Sequence, residues 1–531
     1  MPKTPTDEQI EAIKCQGNTV ITARPGTGKT FTISQKIAFE SKTLLSYQGI
    51  IAISYTRKAS DELKLRCERL GTERNSSFFG TIDSFCLHEI VGPFLSRYNR
   101  RNTELEITDE DTLTDKLTRS EAACLARARL ATGKMPVNLL CDAALEVLKN
   151  VMGARRYLRA RYTSVYIDEY QDCGAAQHEL VMLLRCIGLR IVAVGDLDQA
   201  IYGWTGKSSA YLQQLVDDHG FSHFELTSNH RCHPSIVAYS LRLLGRKSTC
   251  TYDDKRVFLA HLNGDESAIA SEISHFIPGI KSKYNISESR EIAVIARSNG
   301  TLDRIANSLT VPYKRYENCV LDNGFSRWKR VFGQLLQTYY SESRFFGNFL
   351  VQYFNEDGQT KKREKCAQLI KEFLDIEETL LGQSSRMAAR IADLCEPNMG
   401  TPEDLQAYRD ATADLGLLHA SYCRPRQDEI SLLTYHKAKG LEFDAVFCLD
   451  TYQYVMPPYK YEEKSYDAFS ESLSMHYVGI TRARKVCYIP IATYRHNNKG
   501  DRYEAVPSEY LNREGLRELR FNVCWDDCPI S

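Results

Sequence analysis

The sequence has no surplus of charge. Lysine plus arginine and aspartate plus glutamate both number 68 in 531 residues. No global positive field advertises nucleic-acid binding, so any such contact has to be a local groove. The 17 cysteines are scattered singly, with no C-x-x-C pair and no zinc spacing. The closest pair near the end, Cys524 and Cys528, reads as incidental, and no structural metal is expected. Unpaired cysteines in this number suit a reducing compartment, and a cytoplasmic location is expected. No apolar run approaches membrane-spanning length, and the N-terminus shows no signal-like segment. At 26% charged and 43% apolar, the chain has an ordinary globular composition and length for two to four domains.

One stretch organises the rest: Ala23-Arg24-Pro25-Gly26-Thr27-Gly28-Lys29-Thr30. It follows the apolar run Thr19 to Thr22 and leads into a predicted helix. A buried strand turning through glycines into a helix N-terminus aims several backbone N–H groups, with the positive end of the helix dipole, at one spot suited to a polyphosphate. Lys29 would reach the β- and γ-phosphates and the Thr30 hydroxyl would sit on Mg²⁺. Ala23 stands where the usual pattern has its first glycine. Upstream, Asp7 or Thr6 is a plausible cap for a helix carrying Gln9, whose amide can pair with an adenine edge.

Further strands deliver polar groups at their ends. Ile50 to Ser54 ends in Tyr55-Thr56-Arg57-Lys58, a group able to contact a nucleic-acid strand. Gly80-Thr81-Ile82-Asp83 repeats the theme. Ser164 to Ile167 delivers Asp168-Glu169, placed as a Mg²⁺ carboxylate and a water-activating base. Arg190 to Gly195 opens toward Gln199, able to sense a γ-phosphate, and toward Tyr202 and Trp204, two aromatics able to stack on bases. Arg231 is a candidate transition-state cation. Glu291 to Ile295 reads as the start of a second α/β lobe, with Arg297, Ser298 and Asn299 at the strand end. Ile430 to Thr434 leads into Tyr435-His436-Lys437-Ala438-Lys439-Gly440-Leu441-Glu442. Met475 to Arg484 reads as a helix supplying Arg482, followed by a strand from Val486.

Together these motifs resemble, in order, the UvrD/Rep group of superfamily 1 DNA helicases. The resemblance implies an α/β fold of two RecA-like parallel-sheet lobes of the P-loop NTPase class, each with an inserted helical subdomain. The expected boundaries are 1–90 with 161–237 for the first lobe and 91–160 for its insertion. The second lobe takes 238–330 with 421–531, and its compact insertion takes 331–420. By resemblance Gln9 reads adenine, with Ala23 to Thr30 as the phosphate loop. Asp168 holds the metal, Glu169 is the catalytic base, and Gln199 couples the γ-phosphate to the DNA groove. Arg231 and Arg482 are arginine fingers, and Glu442 lies near the ribose and phosphates. Tyr55, Tyr202 and Trp204 match the aromatics along which bases step, while Thr56, Thr81, Thr434 and His436 line the same track. ATP, Mg²⁺ and 3′ to 5′ stepping along single-stranded DNA are the implied cofactors and activity.

His230 replaces the family's usual adenine-stacking aromatic, Asp83 a common histidine, and Thr205 an arginine. No nuclease carboxylate–lysine set is seen, and the tail after Ile489 is short for an appended nuclease. Compact relatives of this kind look like helicase subunits of anti-phage systems, notably the Gabija type, so an OLD-family nuclease is an expected partner. A different class of function, a regulatory DNA-end sensor that binds ATP without processive movement, needs the same residues.

Overall fold

The computed structural model describes residues 4–54, 57–72, 76–108, 117–201, 207–317, 319–322, 326–341, 343–354, 360–458, 466–497 and 499–526. The chain divides into two compact units, Met1–Val311 with Leu433–Ser531, and Pro312–Leu432.

The larger unit is built on parallel sheets. In lobe 1, β1 (Thr19–Ala23), β2 (Gly49–Ile53) and β3 (Phe78–Gly80) come first. An insertion follows with a small parallel pair, β4 (Glu106–Thr108) and β5 (Lys134–Pro136). Then come β6 (Tyr162–Ile167), β7 (Arg190–Gly195) and β8 (Ser222–Leu226). Lobe 1 has six strands in the order β3-β2-β6-β7-β1-β8, all parallel. Strands β1 and β2 are buried at every residue, as expected of central parallel strands covered on both faces. The helices of the insertion share one continuous core with the sheet, joining Leu95, Leu130 and Leu148 to Val165 and Ile191. The β4–β5 pair inside that segment was not anticipated from its helical, charge-rich composition.

Lobe 2 is organised by a second parallel sheet. In chain order the remaining strands are β9 (Val257–Leu262), β10 (Ile292–Ala296), β11 (Tyr313–Arg315), β12 (Ile430–Thr434), β13 (Phe443–Cys448), β14 (Ala483–Ala492) and, after an antiparallel ribbon of β15 (Tyr494–His496) and β16 (Arg502–Glu504), β17 (Phe521–Cys524). Within the larger unit the order is β10-β13-β14-β9-β17. β9 and the helix Glu266–Lys283 precede Glu291 in this lobe. The helix expected over Met475 to Arg484 ends at Ile480, and β14 begins at Ala483. There Thr481 still donates its N–H to Tyr477 O at 3.0 Å, and the turn tightens at Arg482, whose N–H donates to Gly479 O at 3.1 Å.

The smaller unit is helical apart from the parallel pair β11–β12. Its helices Arg327–Tyr339, Thr360–Leu374, Ser385–Cys395 and Pro402–Ala413 enclose Phe332, Leu336, Phe373, Ile391 and Tyr408. The helix Thr360–Leu374 is followed by a separate short turn, Glu378–Gln383. Among the described residues no helix is long and apolar enough to cross a membrane.

Candidate nucleotide and nucleic-acid site

The phosphate loop joins β1 to the helix Lys29–Ser41, with Gly28 as its N-cap. Gly26 and Gly28 take φ of 76° and 84°, the left-handed region that favours glycine. Space demands glycine too. A Cβ on Gly26 would lie 2.6 Å from Cβ of Arg231, and one on Gly28 would lie 2.9 Å from Nε2 of Gln9. Ala23 ends β1, buried, and the backbone there needs no first glycine. Thr27 closes the loop by donating its hydroxyl to Arg24 O at 2.8 Å, and Arg24 pairs with Glu225 at 3.1 Å. Thr30 is the second residue of the helix.

Two neighbours clamp the loop. Thr6, of the two candidates, is the helix cap, and Gln9 completes a capping box with it. Gln9 is buried, accepts from Thr6 N–H at 3.0 Å and donates to Thr27 O at 2.9 Å, so its amide holds the loop. On the other side Asn229 donates to Pro25 O at 2.7 Å and accepts from Arg231 N–H and Cys232 N–H at 2.8 Å each. His230 N–H donates to Gly26 O at 2.9 Å, leaving its ring exposed. Asn229 carried no assigned role in the sequence; the stretch was visible, its reach to Pro25 was not.

The acidic pair lies beside the loop. Asp168 N–H donates to Ile53 O at 2.9 Å, which carries the β2–β6 pairing one residue past β6. Glu169 adopts φ 55°, and its carboxylate meets Lys29 Nζ at 3.1 Å. Burial, then the neighbouring Glu169, raises the Asp168 pKa. Burial opposes ionisation of Glu169 as well, yet Lys29 and Lys439 hold it below the usual carboxylate range.

A relay of side chains then crosses from lobe 1 to lobe 2. Gln171 donates to Glu169 and accepts from Asp196 N–H at 3.0 Å. Asp196 accepts from Gln199 Nε2 at 2.6 Å, and Gln199 Oε1 accepts from Arg482 at 3.2 Å. Arg482 is 2% exposed and also donates to Val478 O and Leu441 O. Burial, then the nearby Arg231, pushes the Arg482 pKa down to about 10. Arg231 itself meets Glu442 at 2.6 Å, and Glu442 also approaches Arg484 at 3.5 Å. A second crossing joins Lys439 to Asp172 at 2.5 Å and to Gln199 O at 2.9 Å. Asp196, Gln171, Asp172 and Lys439 were thus missed as members of the site, because their pairing spans up to 267 residues of sequence.

The expected strand track is represented in part. Thr81 and Thr434 both cap short helices at strand ends, accepting from Ser84 N–H and Lys437 N–H. His436 Nε2 lies 3.2 Å from Ile201 O, from lobe 2 to lobe 1. Asp83 is held near the Cys141 thiol, and burial raises its pKa. Tyr55, Thr56, Tyr202 and Trp204, with Thr205, lie outside the described residues.

Two family models match the chain: the UvrD/REP helicase N-terminal domain over residues 5–137 and 125–220, and the UvrD-like helicase C-terminal domain over residues 320–494. The chain belongs to the UvrD/Rep family of ATP-dependent DNA helicases. ATP-dependent DNA helicase PcrA of Staphylococcus epidermidis is 24% identical over 615 residues, 93% of this chain and 84% of that protein. A probable DNA helicase II homolog of Mycoplasma pneumoniae is 22% identical, across 96% and 87% of the two chains. Gabija protein GajB of Bacillus cereus is 33% identical over 238 residues, 44% of this chain, and the match spans less than half, 47%, of GajB.

Proposed function

We propose that this UvrD/Rep helicase is a DNA-stimulated, Mg²⁺-dependent ATPase that steps 3′ to 5′ along single-stranded DNA. It would work as the helicase subunit of an anti-phage nuclease system. The observation that carries the motor reading is the side-chain relay from Arg482 through Gln199, Asp196, Gln171 and Glu169 to Lys29 of the phosphate loop, with Arg231 packed against Gly26 of that loop. Three cations gathered along one relay suit a polyanion, and a triphosphate would exchange for the carboxylates that now pair Lys29 and Arg231.

In this reading the γ-phosphate takes Lys29 from Glu169, and the freed carboxylate orients the attacking water. Arg231 and Arg482 stabilise charge on the transferred group, with Gln199 reporting its loss to the strand track. Gln9 and His230 border the adenine, Glu442 the ribose, and the loop from Ala23 through Arg24, Pro25, Gly26, Thr27 and Gly28 cradles the phosphates. Asp168 and Thr30 suit a hard divalent cation, since Asp168 is a buried carboxylate pressed by a second one. Magnesium there would neutralise charge on the phosphates. Tyr55, Tyr202 and Trp204 would stack bases, with Thr56, Thr81, Thr434 and His436 beside them.

The anti-phage assignment is supported by the likeness to GajB and by the compact helical unit Pro312–Leu432. An OLD-family nuclease would then be the partner. ATPase rate against single-stranded DNA length tests the motor: a rate rising with length at fixed nucleotide supports translocation. A rate set by the number of ends alone replaces it with an end sensor. Co-purification with a nuclease, or full processive unwinding by the isolated chain with no partner, decides the assembly.

A further inference from the structure

The turn that ends β10 is held by a carboxylate from the next strand. Asp450 lies two residues beyond β13, which runs parallel to β10. Leu449 N–H donates to Ile295 O at 2.8 Å, so the pairing continues up to it. Asp450 then adopts φ 62°, a left-handed conformation that costs a non-glycine residue energy and points to a purpose for its side chain. That side chain is buried, 6% exposed. Its Oδ2 accepts from Arg297 N–H at 2.8 Å and Ser298 N–H at 3.4 Å, and its Oδ1 accepts from the Thr301 hydroxyl at 3.0 Å. Ser298 in turn caps the helix Asn299–Ser308.

The group so fixed is Arg297. Arg297 is only partly buried, and its charge is near enough to His436 to lower that imidazole's pKa, after burial. Parallel strands put the turn at the C-terminal edge of the lobe 2 sheet. We infer that Asp450 is a positioning residue for single-strand binding, its carboxylate fixing the turn that holds Arg297 against a DNA phosphate on lobe 2. This rests on the proposed grip on single-stranded DNA and adds a residue to it.

Fluorescence titration of labelled oligo-dT across a range of NaCl tests the inference, using the full chain. Asp450→Gly keeps the left-handed backbone without strain and removes only the carboxylate. It should weaken binding about tenfold, the size of one charge-assisted hydrogen bond. The salt slope should also become shallower by about 0.7, the value of one single-strand phosphate contact. Arg297→Ala should show the same loss, and the double variant no more than either single one. Asp450→Asn, which tolerates the conformation and can still accept from the turn, should bind within about twofold of the native chain. Thr301→Ala, a milder cut in the same network, should give about a threefold loss, and it decides the matter if the glycine variant does not fold. Native affinity and slope in a folded Asp450→Gly or Thr301→Ala chain would overturn the inference, as would losses that multiply in the double variant. If the native chain itself shows no single-strand binding, the parent reading fails instead.

Discussion

His476 offers a test of how the helix leading to Arg482 is built. It lies on the helix Tyr466–Ile480, fully buried, and neither ring nitrogen has a hydrogen-bond partner. Burial, then the nearby Arg520, lowers its pKa to about 3. A histidine whose folded pKa is depressed stays neutral in the native state, while the unfolded chain takes up a proton as pH falls through about 6.5. Between those values the unfolded state binds more protons, so stability rises with pH and is lost on acidification. From an unfolded value of about 6.5 and the folded value of about 3, the loss between pH 7 and pH 5 comes to about 2 kcal/mol. The figure at pH 5 hardly depends on the folded value, since any number below about 4 gives the same result. His476→Leu removes the titration and keeps a similar apolar volume. Urea unfolding of both chains at pH 7 and pH 5 should show the leucine variant losing about 2 kcal/mol less than the native one over that interval. Equal losses in the two chains would refute the account of His476 as a neutral, solvent-excluded imidazole.

Other substitutions probe the seam. Lys29→Ala should abolish ATP turnover, read as phosphate release, whereas Glu169→Gln should bind nucleotide in a filter assay yet fail to hydrolyse it. Arg482→Ala should reduce kcat by about 10³-fold or more, the worth of an arginine supplied to phosphoryl transfer, with a smaller change in nucleotide affinity. Lys439→Met removes the ion-pair partner of Asp172, 1% exposed, and leaves it only the more distant charge of Lys207, so stability should fall, by at most about 3–5 kcal/mol, the cost of a broken buried pair. Adding Asp172→Asn should recover much of that loss in thermal unfolding and in DNA-stimulated ATPase, and a double variant as impaired as the single one would contradict the pairing.

The parts legible in the sequence were those whose chemistry is local. A loop that needs left-handed backbone at Gly26 and Gly28 announces itself by its glycines. The same holds for Asp168-Glu169, set by one buried strand. Boundaries failed where an element ended with no glycine or proline to mark the place, as after Ile480. Long-range pairing was invisible for a different reason. Cysteines scattered singly along the chain meet in the fold as buried thiol contacts, Cys86 with Cys141 at 3.6 Å, Cys366 with Cys395 at 3.8 Å and Cys448 with Cys487 at 3.9 Å. Nothing in their spacing pairs them. The relay from Glu169 through Gln171, Asp196 and Gln199 to Arg482 is of this second kind. Its members sit on three separate segments, after β6, after β7 and before β14, and only the parallel topology gathers them.

Each cation of the proposed nucleotide site already has a protein partner: Lys29 has Glu169, Arg231 has Glu442, and Arg482 has Gln199. These contacts keep the charges oriented and stop like charges from splaying the seam apart. They also set a condition on catalysis. A triphosphate has to displace Glu169 from Lys29 and Glu442 from Arg231, so part of its binding energy goes into releasing two carboxylates. Those carboxylates are not wasted, because Glu169 is the proposed base and Glu442 is proposed to border the ribose. The base would therefore become available only when the γ-phosphate is in place, which couples activation of the attacking water to the presence of its target. A diphosphate, which cannot reach Lys29 with a γ-phosphate, would leave Glu169 on the lysine and the relay to Arg482 in its resting arrangement.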